Sequence, residues 1–301
     1  MHQPSLRFAL IALGCCLASC SIQNQLLQTA GNVVAMQGNA DEEDLEIAQN
    51  ASAFYIKLSE SMLQKVPDNV PLALSTTATL TQYAYAFVST PADRIEGQNT
   101  QQAFSLRNRA AKLYTRAKAH GLKALELQQP GLLKTLETLG SEPSKPQAVR
   151  STFQLKPKLA ALAYWSAASW AGAISLSKDS PEVVADLPQV FALAQLAFEA
   201  EPHYGQGALA SLMGTLEMAK TQGNKKNALA YFDLAIDLSK HKDPGALVSK
   251  AENYALPMVQ PQLFESLLKE ALECTPNKND VATQVMQTRA RWLLDHVEDY
   301  F

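Results

Sequence analysis

Gly205-Gln206-Gly207-Ala208-Leu209-Ala210 has the glycine spacing of a dinucleotide-binding fingerprint, with alanine in the last place. That chemistry needs a strand before the first glycine and a helix after the last, so that pyrophosphate sits at a helix N-terminus. Here a helical segment ending at Pro202 comes first, so the stretch reads as an inter-helix turn in which Gly205 and Gly207 relax the backbone. His120, His203, His241 and His296 are singletons without a second histidine at metal-binding spacing. Cys274 lies beside a proline with no nearby histidine and reads as a buried thiol rather than a nucleophile. Asn50-Ala51-Ser52 is a formal glycosylation sequon that a bacterial chain would leave idle. Asp295 and Glu298 read as solvent-facing carboxylates on a terminal helix. No catalytic residue, metal site or cofactor is expected, and the chain reads as a non-enzyme.

Covalent chemistry is expected at one place. Three of the four cysteines fall within Leu13–Ser21, directly after an apolar run that starts at Phe8 behind Arg7. The run is too short to span a bilayer and has the length of a signal peptide. Leu17-Ala18-Ser19-Cys20 resembles the bacterial lipobox, which implies cleavage before Cys20 and lipidation of its thiol. An ordinary signal segment, cleaved or not, is the alternative. Residues 1–19 are then a lipoprotein signal peptide and 20–40 a lipid-anchored segment, ahead of a helical domain over 41–301. Cys15 and Cys16 leave with the signal, and an exported chain with only Cys20 and Cys274 is stabilised by packing rather than by disulfides. Ser21, standing where an aspartate would retain the protein at the inner membrane, points to the outer membrane, facing the periplasm.

The elements that must carry these residues are helices. Apolar residues recur at i, i+3, i+4 and i+7 over about 43–65, 70–88, 102–127, 158–178, 181–200, 205–221, 225–240, 244–256, 261–274 and 279–298. No segment alternates convincingly, so the class is all-α. The acidic run Asp41–Asp44 stands where a helix begins and reads as a favourable neighbour of its dipole. Ser89–Gln101 and Gly140–Pro157 read as loops, the second long enough to be a boundary or a flap. A formal net charge of −3 gives no basic footprint for nucleic acid, and 47% apolar content is ample for a core.

Small residues recur within the helices. Ala228, Phe232 and Ala235 repeat the spacing of Ala110, Tyr114 and Ala117, while Ala197, Ala271 and Met62 each stand five residues before a proline. Alanine lets helix axes approach, the aromatic fills the groove beside it, and proline ends the second helix. A degenerate tetratricopeptide-like array of antiparallel helix pairs, closed by a C-terminal capping helix, is the architecture this predicts.

The segment 158–178 holds Tyr164, Trp165 and Trp170 among alanines. Positions five apart on a helix diverge by about 140°, so one tryptophan faces a groove or partner unless both are buried between helix layers. Trp170 is the first choice for such a wall, because Ala167, Ala171 and Gly172 leave space around it; Trp165 is the second. From here the resemblance is specific. "YWSAASWAGAISLS", "LPQVFALAQLAFEAEPHYGQGALASLMGTLEMA", "YFDLAIDLS" and the terminal "RARWLLDHVEDYF" resemble the T-component lipoproteins of TRAP transporters, the TatT family, over 41–301. The resemblance implies a lipid-anchored, trimeric repeat protein that binds a periplasmic solute-binding subunit, with a lipophilic small molecule passing between them. It also implies an apolar channel with Tyr164, Trp165, Trp170, Tyr204 and Tyr254 as wall residues. The 140–157 loop has no family equivalent. A repeat scaffold lipoprotein for envelope or outer-membrane assembly is the alternative function, and an enzyme a third.

Overall fold

The computed structural model describes residues 25–36, 41–141, 153–275 and 280–301. Cys20 and the signal peptide lie outside the described residues, as does most of the 140–157 loop. Among the described residues the chain is helical and without strands. In order the helices are α1 (25–36), α2 (Leu45–Leu63), α3 (Val70–Ala84), α4 (Thr90–Ile95), α5 (Thr100–Gln128), α6 (Leu132–Ser141) and α7 (Ala160–Ser175). They continue with α8 (Pro181–Val184), α9 (Leu187–Ala200), α10 (Ala208–Ala219), α11 (Lys225–Leu238), α12 (Pro244–Lys250), α13 (Pro261–Glu273) and α14 (Val281–Asp295).

Local chemistry sets the ends. Asp44, the last residue of the acidic run, caps α2, its carboxylate accepting from the amides of Glu46 (2.8 Å) and Ile47 (3.2 Å). Helix α3 is rich in Thr and Ser, poor helix formers. The hydroxyls of Thr76, Thr77 and Thr81 bond back to the carbonyls four residues earlier, each at 2.7 Å, so these polar groups are satisfied inside the core.

Four expectations are corrected. The stretch from Ser89 is not a loop throughout: α3 runs through a π turn, Tyr85–Ser89, directly into α4. Pro91 has no amide to donate, and the wider turn carries the helix past the point where a regular one would break. The segment 244–256 likewise ends in a π turn, Ala251–Ala255. Residues 181–200 form two helices, because the chain bends at Ala185 and Asp186 before Pro188. Helix α6 was not expected; it follows a left-handed Gly131 (φ 90°) and buries Leu132, Leu136 and Leu139.

Packing follows the order of the chain. Helix α3 lies against α2, α5 and α7; α7 against α9; α9 against α6 and α10; α10 against α11; and α12, α13 and α14 against one another. Phe198 packs against both the central core and the C-terminal core, so the two are continuous. The alanines expected at crossings, Ala110, Ala117, Ala197, Ala228, Ala235 and Ala271, are all fully buried. A close backbone approach occurs at Gly207, whose φ is 109° and where an added Cβ would lie 2.4 Å from the Ala235 carbonyl oxygen. Gly205, Gln206 and Gly207 all have positive φ, a left-handed turn between α9 and α10 rather than a phosphate loop.

Candidate functional site

The alanine-rich α7 brings its neighbours close and leaves its aromatic side chains to fill what remains. Tyr164 and Trp165 meet edge to face with centroids 5.0 Å apart, and Tyr164 lies 5.2 Å from Tyr204, which opens the left-handed turn. Trp165 also interacts with the Tyr204 hydroxyl. These three rings are partly buried, and Asp243, the N-cap of α12, is close enough to act on Tyr164. Burial first, then the neighbouring Tyr204 and Asp243, pushes the Tyr164 hydroxyl far above its ordinary value; burial raises Tyr204 too, against the hydrogen bond from Trp165. Both phenols therefore remain protonated hydrogen-bond donors at physiological pH. Burial also raises the Asp243 carboxyl, although it accepts the Gly245 amide at 2.8 Å.

Trp170 and Tyr254 are elsewhere. Trp170 is only 4% exposed, and its indole donates to Asp186 Oδ2 at 2.9 Å. Lys118 Nζ sits 4.5 Å from its ring centroid and 3.6 Å from the same carboxylate. The space expected beside Trp170 is filled: an added Cβ on Gly172 would lie 2.8 Å from the Tyr114 ring. The small residues admit a neighbouring aromatic rather than a ligand. Tyr254 is buried against Phe232, 6.3 Å between centroids, in a small cluster with Ala228. Of the five expected wall residues, the fold brings together Tyr164, Trp165 and Tyr204.

A cleft of about 360 Å³ lies at a different place, where early and late parts of the chain meet. Part of its lining is charged. Arg289 of α14 is nine-tenths buried; its Nε and Nη2 donate to Glu252 Oε1 at 3.1 and 2.6 Å. Its Nη1 stands 3.0 Å from Asp93 Oδ2, close enough for an ion pair but not aligned as a hydrogen bond. Asp93 of α4 and Glu96, the residue that caps it, share Arg107, at 3.0 and 2.5 Å. Leu256, Trp292, Leu293 and Tyr300 line it as well. The Arg289 guanidinium also lies 4.8 Å above the Trp292 ring.

The second π turn serves this cleft, to which it contributes Glu252 and Asn253; Glu252 and Arg289 also act on Tyr85 of the first. Wide turns of this kind are frequent at functional positions. Burial pushes the Glu252 carboxyl up, against the pull of Arg289; burial works against the Arg289 charge, but Glu252 and Asp93 hold its proton firmly. Farther round, Gln284 of α14 donates to the Glu42 carbonyl at 2.8 Å, a second contact of α14 with an early part of the chain.

Sequence reasoning did not find this cleft. Asp93, Glu252 and Arg289 sit in three separate helical segments, and no local spacing links them. Among the described residues no group of three or more His, Cys, Asp and Glu could hold a metal ion. Cys274 is buried, with its thiol pushed up by burial, as the sequence suggested.

With this geometry in place, comparison with known proteins is informative. An uncharacterized protein of Treponema pallidum (strain Nichols) is 26% identical over 331 aligned positions, which take in all of this chain and 99% of that protein. The family model described as TRAP transporter T-component matches residues 41–301. The chain belongs to the TRAP transporter T-component family.

Proposed function

We propose that this chain is the lipid-anchored T component of a TRAP transport system, held by acylated Cys20 at the periplasmic face of the outer membrane. In this reading it binds the periplasmic solute-binding subunit and passes a lipophilic small molecule with a polar end. It acts as a homotrimer and binds rather than catalyses.

The observation that carries the reading is the cleft beside Arg289. Asp93 of α4 pairs with Arg289 of α14, and Gln284 of α14 donates to the Glu42 carbonyl, next to a cleft lined by both charged and apolar side chains. A scaffold of helical repeats works through an open concave surface. A concave site with a mixed lining suits a bound molecule with a polar end. Helix α2 adds a face for the partner: Ile47, Phe54 and Leu58 are exposed at 54%, 70% and 39% and lie along one stripe. The half-buried trio of Tyr164, Trp165 and Tyr204 supplies aromatic anchors of the kind that dominate binding energy.

The test is purification of the lipidated protein from its host membrane, with co-purifying proteins and small molecules identified by mass spectrometry. Recovery of a TRAP solute-binding subunit and an amphiphile is the expected result. Recovery of barrel-assembly or secretion components in their place would favour the scaffold reading and overturn this one.

A further inference from the structure

Helix α1 is bound to the domain by one face and bare on the other. Its inner face is fixed by Asn69 Nδ2, which donates to Gln28 O at 3.1 Å, Gln28 Oε1 at 2.7 Å and Asn32 Oδ1 at 3.0 Å. Gln28 Nε2 donates to Asp68 at 2.8 Å, the Tyr55 hydroxyl donates to the Val34 carbonyl at 2.7 Å, and Leu27, Val34 and Ala35 join the core. Its outer face carries Leu26, Ala30, Val33 and Met36, and the three large side chains are 66%, 54% and 78% exposed. Their offsets of four, seven and ten residues make one apolar stripe, opposite the anchored face.

Two features of the sequence say what covers this stripe. No charged residue or histidine occurs from Phe8 to Ala40, so the outer face of α1 brings no charge to a hydrocarbon surface, and the hydroxyl of Thr29 within it is bonded to the Gln25 carbonyl at 2.9 Å. Cys20 stands five residues before the first described residue of α1, a stretch of chain that spans at most about 18 Å. An interfacial helix sinks its apolar face roughly 5–10 Å into the headgroup and acyl boundary.

We propose that the outer face of α1 rests in the phospholipid interface, so that the domain is seated on the bilayer in a fixed orientation and does not hang from a slack tether. This rests on the lipid anchoring of Cys20 proposed above. Because the face carries no charge, its seating does not depend on anionic lipid or on salt.

The test uses the full lipidated chain with photoreactive benzoylphenylalanine in place of Val33, or in place of the exposed Lys225 on α11 as a control. Both proteins are illuminated in host membranes and in vesicles of phosphatidylethanolamine and phosphatidylglycerol, at low and high salt, and adducts are identified by mass spectrometry. The expected result is phospholipid adducts several-fold more abundant at position 33 than at 225, unchanged by salt. Adducts to a second copy or to another protein in place of lipid would overturn the proposal, as would a yield at 33 no higher than at 225. The same spectra report the mass of the N-terminal peptide. An acylated Cys20 without lipid adducts at 33 defeats the seating of α1 and leaves the anchor intact. An unacylated N-terminus with lipid adducts at 33 defeats the anchor and leaves the seating of α1.

Discussion

The aromatic trio on α7 and the ionic cleft between α4 and α14 are built from opposite materials. Tyr164, Trp165 and Tyr204 hold one another by ring contacts at about 5 Å, with both phenols protonated. Loss of one ring leaves the other two in contact and exposes no charge. In the cleft, Arg289 is shared between Glu252 and Asp93, and Asp93 is shared in turn with Arg107. Removal of one member leaves a partner charged and poorly solvated. The difference sets the cost of substitution: a change in the cleft strands a buried charge, whereas the trio can lose a ring without stranding one.

The largest expected effect is therefore at Arg289. Arg289→Leu should cost about 3–5 kcal/mol, measured by denaturant unfolding, because Glu252 and Asp93 lose their shared counter-charge. A double variant with Glu252→Leu should recover part of the loss. If the single change costs nothing, the cleft does not tie the chain together. Trp170→Ala comes next, at about 3–5 kcal/mol, since the ring is buried and its indole is bonded to Asp186. Ala235→Leu should overpack the crossing at Gly207 by about 1–3 kcal/mol, and an unshifted unfolding midpoint would mean that the packing there is slack.

Smaller effects separate the carboxylates by sign. Burial pushes Glu60 up, but hydrogen bonds and charge from Arg116 and His120 outweigh it and hold its pKa low. Its contribution is complete above the unfolded value of about 4.3 and is lost as pH falls through the depressed folded value. Glu252 has the opposite sign. Its raised folded pKa makes its contribution greatest below the unfolded value, and that contribution is lost as pH rises through the folded one. Glu60→Gln should cost roughly 1–3 kcal/mol at neutral pH and flatten the acid limb of the stability curve. An acid limb as steep as the parent's would mean that the Arg116–Glu60–His120 contacts do not stabilise the fold.

What could be read from the sequence follows the same division. Periodicity and small-residue spacing located the helices and the buried alanines because those signals are local: Ala228, Phe232 and Ala235 lie on one stripe of one helix. The acidic run Asp41–Asp44 marked the start of a helix, and Gly207 a turn. Helix α6 carried its own stripe of Leu132, Leu136 and Leu139, but it is short and lies between Pro130 and the loop read from Gly140, and no helix was expected there. The π turns were hidden because they add one residue to a helical turn without any composition of their own. The neighbours of Trp170 showed that something large fits beside it, and only the fold shows that it is Tyr114. The cleft was invisible for the plainest reason, that its charges come from α4, the second π turn and α14.

The most direct test of the account is the affinity of the lipidated protein for the TRAP solute-binding subunit of its own host, measured together with thermal stability, for the parent and for Trp165→Ala. Trp165 is partly buried and sits at the edge of the trio. The account predicts that the change weakens binding by about 2 kcal/mol or more, as central aromatic anchors do, while most of the stability remains. Unaltered affinity in a protein that has lost several kcal/mol of stability would contradict it and make the trio a piece of core.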